Sequence, residues 1–368
     1  MNVSVVTDQN DVADVRTLIV DADIHPMLRS LDGLHPYLAT RWREHLQTYG
    51  NHLRQPFPTN TAYPRAARAL SRQDAWPPSG GPPGSDLEFM RTQHLDPNGV
   101  ELGVLQTLFP HSNTQRNLEF SAAMCSAIND WQLAEWIEPE PRLRASLMVP
   151  HEDPDAAVAE IDRRAGNPAF VQVVLTPRSA EPLGRKRYWP IYQAAAEYGL
   201  PIGLHSSGIN GYAPTGSGWP SFFIEENHTH WQSMQALVTS FVMEGVFERF
   251  PKLKVVLVEG GWAWAPSLHW RLDKLWQRLR SEVPHVKRPP SEYIREHVWF
   301  TTQPMEEAEH NEDLRITCEW IGWDRLLFAT DYPHWDFDDP QHAFPIQLTA
   351  AERRRVFHDN AYAAFRLA

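Results

Sequence analysis

Short runs of apolar residues recur along this chain and alternate with longer segments of helical period. The runs are almost continuously hydrophobic, which is typical of parallel strands that are covered on both faces. The predicted strands are Leu18–Ile24, Val100–Leu108, Leu143–Val149, Phe170–Leu175, Leu200–Leu204, Lys254–Val258, Val298–Thr302 and Leu326–Thr330. The clearest predicted helices are Arg116–Ile137, Asp155–Arg164, Trp189–Tyr198, Trp231–Phe250 and Pro266–Arg280.

Eight strands that alternate with helices predict a closed (β/α)8 barrel of the TIM type, in the α/β class. An open, doubly wound sheet is the competing interpretation. Two stretches interrupt the alternation: the Pro/Gly-rich residues 51–85 after the first strand and the Gly-rich residues 206–224 after the fifth. Loops that follow barrel strands form the active-site face, so we expect both stretches to wall a pocket. Surface insertions without a function are the alternative. No internal repeat divides the chain, and we expect one domain over residues 1–368.

Composition narrows the classes of function. The formal net charge is −12 and no cluster of Lys and Arg is present, which argues against nucleic acid as a partner. The two cysteines, Cys125 and Cys318, lie far apart in sequence, so we expect neither a disulfide framework nor a thiolate zinc site. We find no secretory signal and no apolar run of about 20 residues that would span a membrane. We therefore expect a cytoplasmic protein that acts on a small molecule.

Several predicted strands end in a side chain that can bind a metal ion or carry a proton. The first ends in Asp23 and His25, which share one face because side chains alternate along a strand. The fifth ends in His205, the sixth in Glu259 and the eighth in Asp331. Each has an ordinary alternative, such as a core histidine or a helix cap. In a barrel, however, these strand ends converge, and carboxylate and imidazole groups together suit Zn²⁺, Mn²⁺ or Fe²⁺.

The sequence also resembles the amidohydrolase-2 family, which includes aminocarboxymuconate-semialdehyde decarboxylase, resorcylate-type decarboxylases and hydrolases. The resemblance rests on the Asp-x-His of the first strand, His205, GVFERFPKLKVVLVEGG at 245–261 and FATDYPHWD at 328–336. It implies a metal-dependent barrel in which the ligands are Asp23, His25, His205 and Asp331. Many relatives have His-x-His in place of Asp23-x-His25, and many have a catalytic histidine at the position of Glu259.

The departure at Glu259 leaves the identity of the proton carrier open. His228, between the fifth and sixth strands, is one candidate, although a solvated helix start is an equally good interpretation. His334 and Trp335 follow Asp331 and are expected to line the pocket. Arg178, after the fourth strand, is a candidate clamp for a substrate carboxylate, with a surface arginine as the alternative.

Three functions agree with these residues. The first is hydrolysis of a small organic substrate by a metal-activated water, in which Asp331 accepts the water proton and Glu259 or His228 protonates the leaving group. The second is non-oxidative decarboxylation of an aromatic or unsaturated acid. The third is a non-haem iron oxygenase, for which an Asp-x-His with a distant histidine is the signature. We expect one divalent cation, with Zn²⁺ favoured and Mn²⁺ or Fe²⁺ as alternatives, and a possible homodimer.

Overall fold

The computed structural model describes residues 18–51, 67–113, 115–206 and 212–367. Its centre is one eight-stranded sheet in which each strand pairs in parallel with the next along the chain. The strands are β1 (Ile19–Ile24), β2 (Val100–Leu105), β3 (Leu143–Met148), β4 (Phe170–Leu175), β5 (Ile202–His205), β6 (Val255–Val258), β7 (Val298–Thr301) and β8 (Leu326–Leu327).

Backbone hydrogen bonds also join the last strand to the first. The amide of Ala22 donates to the carbonyl of Phe328 at 2.9 Å, and the amide of His25 donates to the carbonyl of Tyr332 at 2.7 Å. We call this boundary between β1 and β8 the seam. It closes the sheet, so the prediction of a (β/α)8 barrel is confirmed and the open sheet is excluded.

Helices cover the outside of the barrel. They are α1 (Thr40–Tyr49), α2 (Leu87–Met90), α3 (Asp96–Asn98), α4 (Leu118–Gln132), α5 (Pro154–Arg164), α6 (Trp189–Glu197), α7 (Phe223–Met243), α8 (Val246–Arg249), α9 (Ala265–Leu279), α10 (Pro290–His297), α11 (Asn311–Ile321), α12 (Ala350–Arg354) and α13 (Asn360–Ala364). Short 3₁₀ turns lie at Leu31–Tyr37, Arg68–Leu70, Lys186–Tyr188 and Trp323–Arg325, and π-helical turns lie at Arg91–Leu95, Leu133–Ile137 and Arg355–Asp359. A large apolar core, which includes Phe170, Ile202 and Leu257, lies between the strands and this helical layer.

The observed helices differ from the predicted ones chiefly in the segment after β5. A single helix was expected over Trp231–Phe250, but α7 begins eight residues earlier and ends at Met243. Gly245 interrupts the helix with φ 83°, a left-handed conformation that glycine adopts without steric cost. Among the described residues, none of the helices combines the length and the apolar character that a membrane crossing requires.

The described part of the long segment after β1 packs against the end of β8. Ser71 forms a bridge with His334, and the amide of Trp335 donates to the carbonyl of Leu70 at 2.9 Å. The amide of Met27 donates to the carbonyl of Gly84 at 2.8 Å. This segment therefore lies on the face of the barrel where the strands end. Residues 52–66 and 207–211 of the two predicted insertions lie outside the described residues.

Candidate metal centre

The end of β1 turns two potential ligands into the barrel. Asp23 and His25 are both buried, as the alternation along the strand predicts. The Nδ1 atom of His25 lies 2.8 Å from the carbonyl oxygen of Gln106, so Nδ1 carries the proton and donates it. The Nε2 atom then points towards the carboxylates, 3.1 Å from Asp23 and 2.8 Å from Asp331. A backbone carbonyl that orients an imidazole in this way is typical of metal-binding histidines.

His205, at the end of β5, completes a group of three. Its Nδ1 atom lies 2.5 Å from the carbonyl oxygen of Ser206, and its Nε2 atom lies 3.3 Å from the second carboxylate oxygen of Asp23. Strands β1 and β5 lie on opposite sides of an eight-stranded barrel, so this contact passes through the interior. The potential ligand atoms of Asp23, His25 and His205 all lie within 4.8 Å of one another.

Four buried atoms of this group lack a hydrogen-bond partner among the described residues. They are both carboxylate oxygens of Asp23 and the Nε2 atoms of His25 and His205. The short contacts between them do not have hydrogen-bond geometry. Buried polar atoms without partners are costly, and a cation among them would satisfy all four. Two imidazoles and carboxylate oxygens suit a borderline or hard divalent metal, so these residues fit such an ion.

Asp331 joins the group from the loop after β8. Its backbone is in the left-handed region, with φ 61°, which costs a non-glycine residue roughly 1–3 kcal/mol. The amide of Asp331 donates to the carbonyl of Asp23 at 3.1 Å. One carboxylate oxygen lies 2.8 Å from Nε2 of His25 and 2.7 Å from Nδ1 of His334. The other accepts a hydrogen bond from the side-chain amide of Gln303 at 3.3 Å. The surroundings therefore hold this carboxylate in a fixed position.

Glu259 lies beside this group at the end of β6 and also has a positive φ, 53°. Its carboxylate accepts a hydrogen bond from the Ser206 hydroxyl at 2.7 Å and lies 3.8 Å from Nδ1 of His205. Carboxylate oxygens of Glu259, Asp331 and Asp336 lie within 4.8 Å of one another. Three carboxylates gathered so closely repel one another, which disfavours full ionisation.

The pKa values follow from these surroundings. Burial alone would raise the pKa of Asp23, but the attraction of His25 and His205 outweighs it, so the pKa lies below its ordinary value. Burial and the charge of Asp331 raise the pKa of Glu259 well above its usual range. Burial, again with the charge of Asp331, raises the pKa of Asp336 to about 7. Despite its burial, the charges of His334 and His25 likewise lower the pKa of Asp331. The site thus contains two carboxyls that stay ionised, Asp23 and Asp331, and two that retain a proton more readily.

Helix α7 presents a different histidine to the site from the one that the sequence suggested. His228 is exposed, and its ring lies 5.1 Å from that of Trp231. The ring nitrogens of His230, by contrast, are buried without hydrogen-bond partners among the described residues. Burial, together with the charges of Arg178 and His205, lowers the pKa of His230 to about 3. The sequence analysis chose His228 rather than His230 because it placed the start of this helix at Trp231, whereas α7 begins at Phe223. With the start misplaced, the helical period did not show which histidine faces the barrel.

The three predicted substrate-binding residues have different surroundings. Arg178 is buried rather than on the surface, and its guanidinium lies 3.3 Å from the carboxylate of Glu226 on α7. The ring of His334 stacks on that of His25, with centroids 4.2 Å apart. Trp335 is 43% exposed, and its ring centroid lies 6.2 Å from that of Phe223. Sequence reasoning did not single out Gln303 or Asp336, although Asp336 belongs to the HWD sequence that also contains His334.

Comparison with known proteins shows which family this chain belongs to. The family model described as Amidohydrolase matches residues 20–367. The chain is 26% identical over 302 residues to a gamma-resorcylate decarboxylase from a Polaromonas species, covering 77% of this chain and 88% of that protein.

Two solved structures share the fold at low sequence identity. One is a dihydroxybenzoic acid decarboxylase from Polaromonas with bound manganese and the inhibitor 2-nitroresorcinol, with a TM-score of 0.66, 19% identity and coverage of 95% and 96% of the two chains. The other is a 5-carboxyvanillate decarboxylase from Novosphingobium aromaticivorans with manganese and a nitrobenzoic acid, with a TM-score of 0.68, 18% identity and coverage of 94% and 95%. Since the family match spans almost the whole chain, this protein belongs to the amidohydrolase family.

Proposed function

We propose that this protein is a divalent-metal-dependent decarboxylase that removes a carboxyl group from a small aromatic acid without oxidation. The observation that carries the proposal is the inward-facing group of Asp23, His25 and His205, whose buried ligand atoms have no hydrogen-bond partner in the part of the chain that the structure describes. The relatives that match this chain along most of its length are named as decarboxylases of aromatic acids. This evidence supports decarboxylation over hydrolysis, and it gives no support to the iron oxygenase.

We assign the metal to Asp23, His25, His205 and Asp331. Manganese is the favoured ion, because the related decarboxylase structures contain manganese, and the preference for Zn²⁺ has no comparable support. When bound, the cation supplies Lewis-acid chemistry: it neutralises negative charge on substrate oxygens and draws electrons from the ring. The two carboxylates and two neutral imidazoles balance the charge of one divalent ion.

The reaction also requires a proton. The bond between the ring and the carboxyl carbon breaks, CO₂ leaves, and the electron pair left on the ring carbon takes up a proton. Glu259 is the best-placed donor, because it lies beside His205 and Asp331 and because its raised pKa favours the protonated form. His228 is less suitable because it is exposed. Asp331 would accept a proton from water in a hydrolase, whereas decarboxylation requires it only as a ligand.

Arg178 and the aromatic rim provide for substrate binding. Arg178 is buried beside the acidic Glu226, and an arginine can hold a second acidic or hydroxyl substituent of the ring through paired hydrogen bonds. Trp335 and Phe223 present ring surface at the mouth of the barrel, where an aromatic substrate can stack. His334 lies between this rim and His25 and closes one side of the centre.

The test uses protein loaded with Mn²⁺ and a panel of hydroxybenzoates that includes 2,6-dihydroxybenzoate, together with lactone and amide substrates. We expect stoichiometric CO₂ and the decarboxylated phenol from at least one acid, with no oxygen consumed. Turnover of a lactone or amide without release of CO₂ from any acid would instead establish the hydrolase.

A further inference from the structure

Asp21 is a buried carboxylate two residues before the candidate ligand Asp23, and it takes no part in the ligand group. One of its oxygens accepts hydrogen bonds from the amides of Asp23, at 3.2 Å, and Thr330, at 3.0 Å. The other accepts from the Thr330 hydroxyl at 2.5 Å and from Nε2 of His94 at 2.9 Å. A carboxylate that is fully buried requires such a set of donors. These bonds show that Asp21 is held firmly in place.

Through these donors Asp21 connects the two sides of the seam. One donor is the amide of Asp23 itself, and two others belong to Thr330, the residue just before Asp331. The Thr330 hydroxyl also accepts a hydrogen bond from the amide of Tyr332 at 3.2 Å. It therefore bridges across Asp331 and supports the turn in which that residue has φ 61°. The contacts of one carboxylate thus reach the backbone on either side of two ligands.

His94 holds Asp21 from outside the seam. It lies in the π-helical turn Arg91–Leu95, and its Nδ1 atom is 3.1 Å from the side-chain amide nitrogen Nδ2 of Asn98. Because that amide donates to Nδ1, the imidazole proton lies on Nε2 and is donated to Asp21. The ring also stacks on Tyr332, with centroids 4.7 Å apart and an interplanar angle of 6°. One imidazole therefore contacts β1 and the loop after β8 together.

We infer that Asp21 is a positioning residue for the metal centre, which, with His94 and Thr330, sets the spacing between Asp23 and Asp331 across the seam. The inference rests on the proposed function, in that it assumes that these two carboxylates bind one cation. Outer residues that orient metal ligands typically change metal affinity by about 10- to 100-fold when they are replaced.

The test measures Mn²⁺ affinity by calorimetry in the full-length protein. Thr330→Val keeps the shape of the side chain but removes both hydrogen bonds of the hydroxyl, whereas Thr330→Ser retains them. We expect Thr330→Val and Asp21→Asn to weaken Mn²⁺ binding by about 10- to 100-fold. Thr330→Ser should stay within about threefold of the wild type, since the hydroxyl is restored. If Asp21→Asn does not fold, the comparison of Thr330→Val with Thr330→Ser tests the positioning role by itself.

Thr302→Val is the matched control. Thr302 is also fully buried, follows the neighbouring strand β7, and accepts a hydrogen bond from the amide of Ala329 at 3.3 Å. A general loss of packing would affect both threonine variants equally. We expect Thr302→Val to lose thermal stability but to retain the Mn²⁺ affinity of the wild type. The electron paramagnetic resonance spectrum of bound Mn²⁺ should change in Thr330→Val and not in Thr302→Val.

The outcomes separate this inference from the proposed function. Equal Mn²⁺ affinity in the wild type and in Thr330→Val, or equal losses in the two valine variants, overturns the positioning role. A wild type that binds Mn²⁺ and loses affinity as described, but releases no CO₂ from any acid, supports the positioning role and refutes the decarboxylase. A wild type that binds no divalent cation refutes both.

Discussion

At the scale of single residues, the most informative position is Asp331, which is both a candidate ligand and a residue with a positive φ. Asparagine is one of the few residues that adopt this backbone conformation readily. Asp331→Asn should therefore preserve the loop while it removes the negative charge that faces His25. Replacement by alanine would combine the loss of the carboxylate with backbone strain, and its effect would be harder to interpret.

We expect Asp331→Asn to lower kcat for decarboxylation by at least about 100-fold, because a first ligand matters at least as much as the outer residues that orient it. Steady-state kinetics at saturating Mn²⁺, with the metal content measured in parallel, checks this. Asp339→Asn is the control, since Asp339 lies in the same loop but is exposed. If Asp331→Asn retains more than about a tenth of the wild-type kcat, Asp331 is not an essential metal ligand.

The residue scale also shows what the sequence can predict about the site. Asp23, His25, His205 and Asp331 were chosen because each ends a predicted strand, and the structure brings their side chains together; their role as ligands stays a prediction. His230, Gln303 and Asp336 were missed. Their positions near the candidate ligands depend on the rotation of α7 and on the course of the loops after β7 and β8, which hydrophobic periodicity does not determine.

At the scale of elements, the segment before α2 lies close to the candidate metal centre at Gly84. This residue has φ 77°, and a Cβ atom here would collide with the carbonyl oxygen of His25. Gly80 has nearly the same φ, 80°, but an added Cβ would meet no atom within 4 Å. Both glycines therefore require a positive φ, but only Gly84 lies so close to the backbone of His25 that a Cβ atom would collide with it.

This pair gives a prediction about the segment. Gly80→Ala should cost about 1 kcal/mol of unfolding free energy because of its positive φ. Gly84→Ala should cost about 1–3 kcal/mol more, since the backbone at His25 must move, and it should also weaken Mn²⁺ binding. Denaturant unfolding and calorimetry measure the two effects. Equal losses in the two variants would show that the approach to His25 is unimportant.

Element boundaries were the least accurate part of the sequence-based description. The strands β1, β4 and β6 lie within one residue of their predicted limits, because their apolar runs end at polar residues or turns. Strand β8 is much shorter than Leu326–Thr330, because the chain leaves the sheet to form the loop that carries Asp331. The functional loop thus begins where the sequence still resembles a buried strand.

At the scale of the whole molecule, metal binding should be coupled to stability. An ion that binds only the folded protein stabilises it by about 2.7 kcal/mol at a concentration 100 times its Kd. We therefore expect the melting temperature of metal-stripped protein to rise by several degrees when Mn²⁺ is added. Thermal unfolding monitored by fluorescence measures this shift, and the His25→Ala/His205→Ala double variant should not show it. A shift of the same size in the double variant would place the ion elsewhere.

The barrel was predictable from the alternation of strands and helices, because a parallel sheet that is covered on both faces leaves few other arrangements for eight such units. The single domain over residues 1–368 and the homodimer stay predictions. Trp270 on α9 and Ile316 on α11 are exposed. Their exposure could not be predicted from the sequence, since the same helices carry other apolar residues that are buried.

The candidate ligands on either side of the seam lie at the end of the first strand and in the loop after the last strand, about three hundred residues apart along the chain. During synthesis, Asp23 and His25 leave the ribosome long before their counterpart from the opposite end exists. The first strand therefore cannot pair with the last strand until translation is nearly complete. Until then its acidic groups, which are buried in the folded barrel, lack that neighbouring strand. Such distant pairing is slow to form, so we expect the proposed metal ion to bind in the final stage of folding.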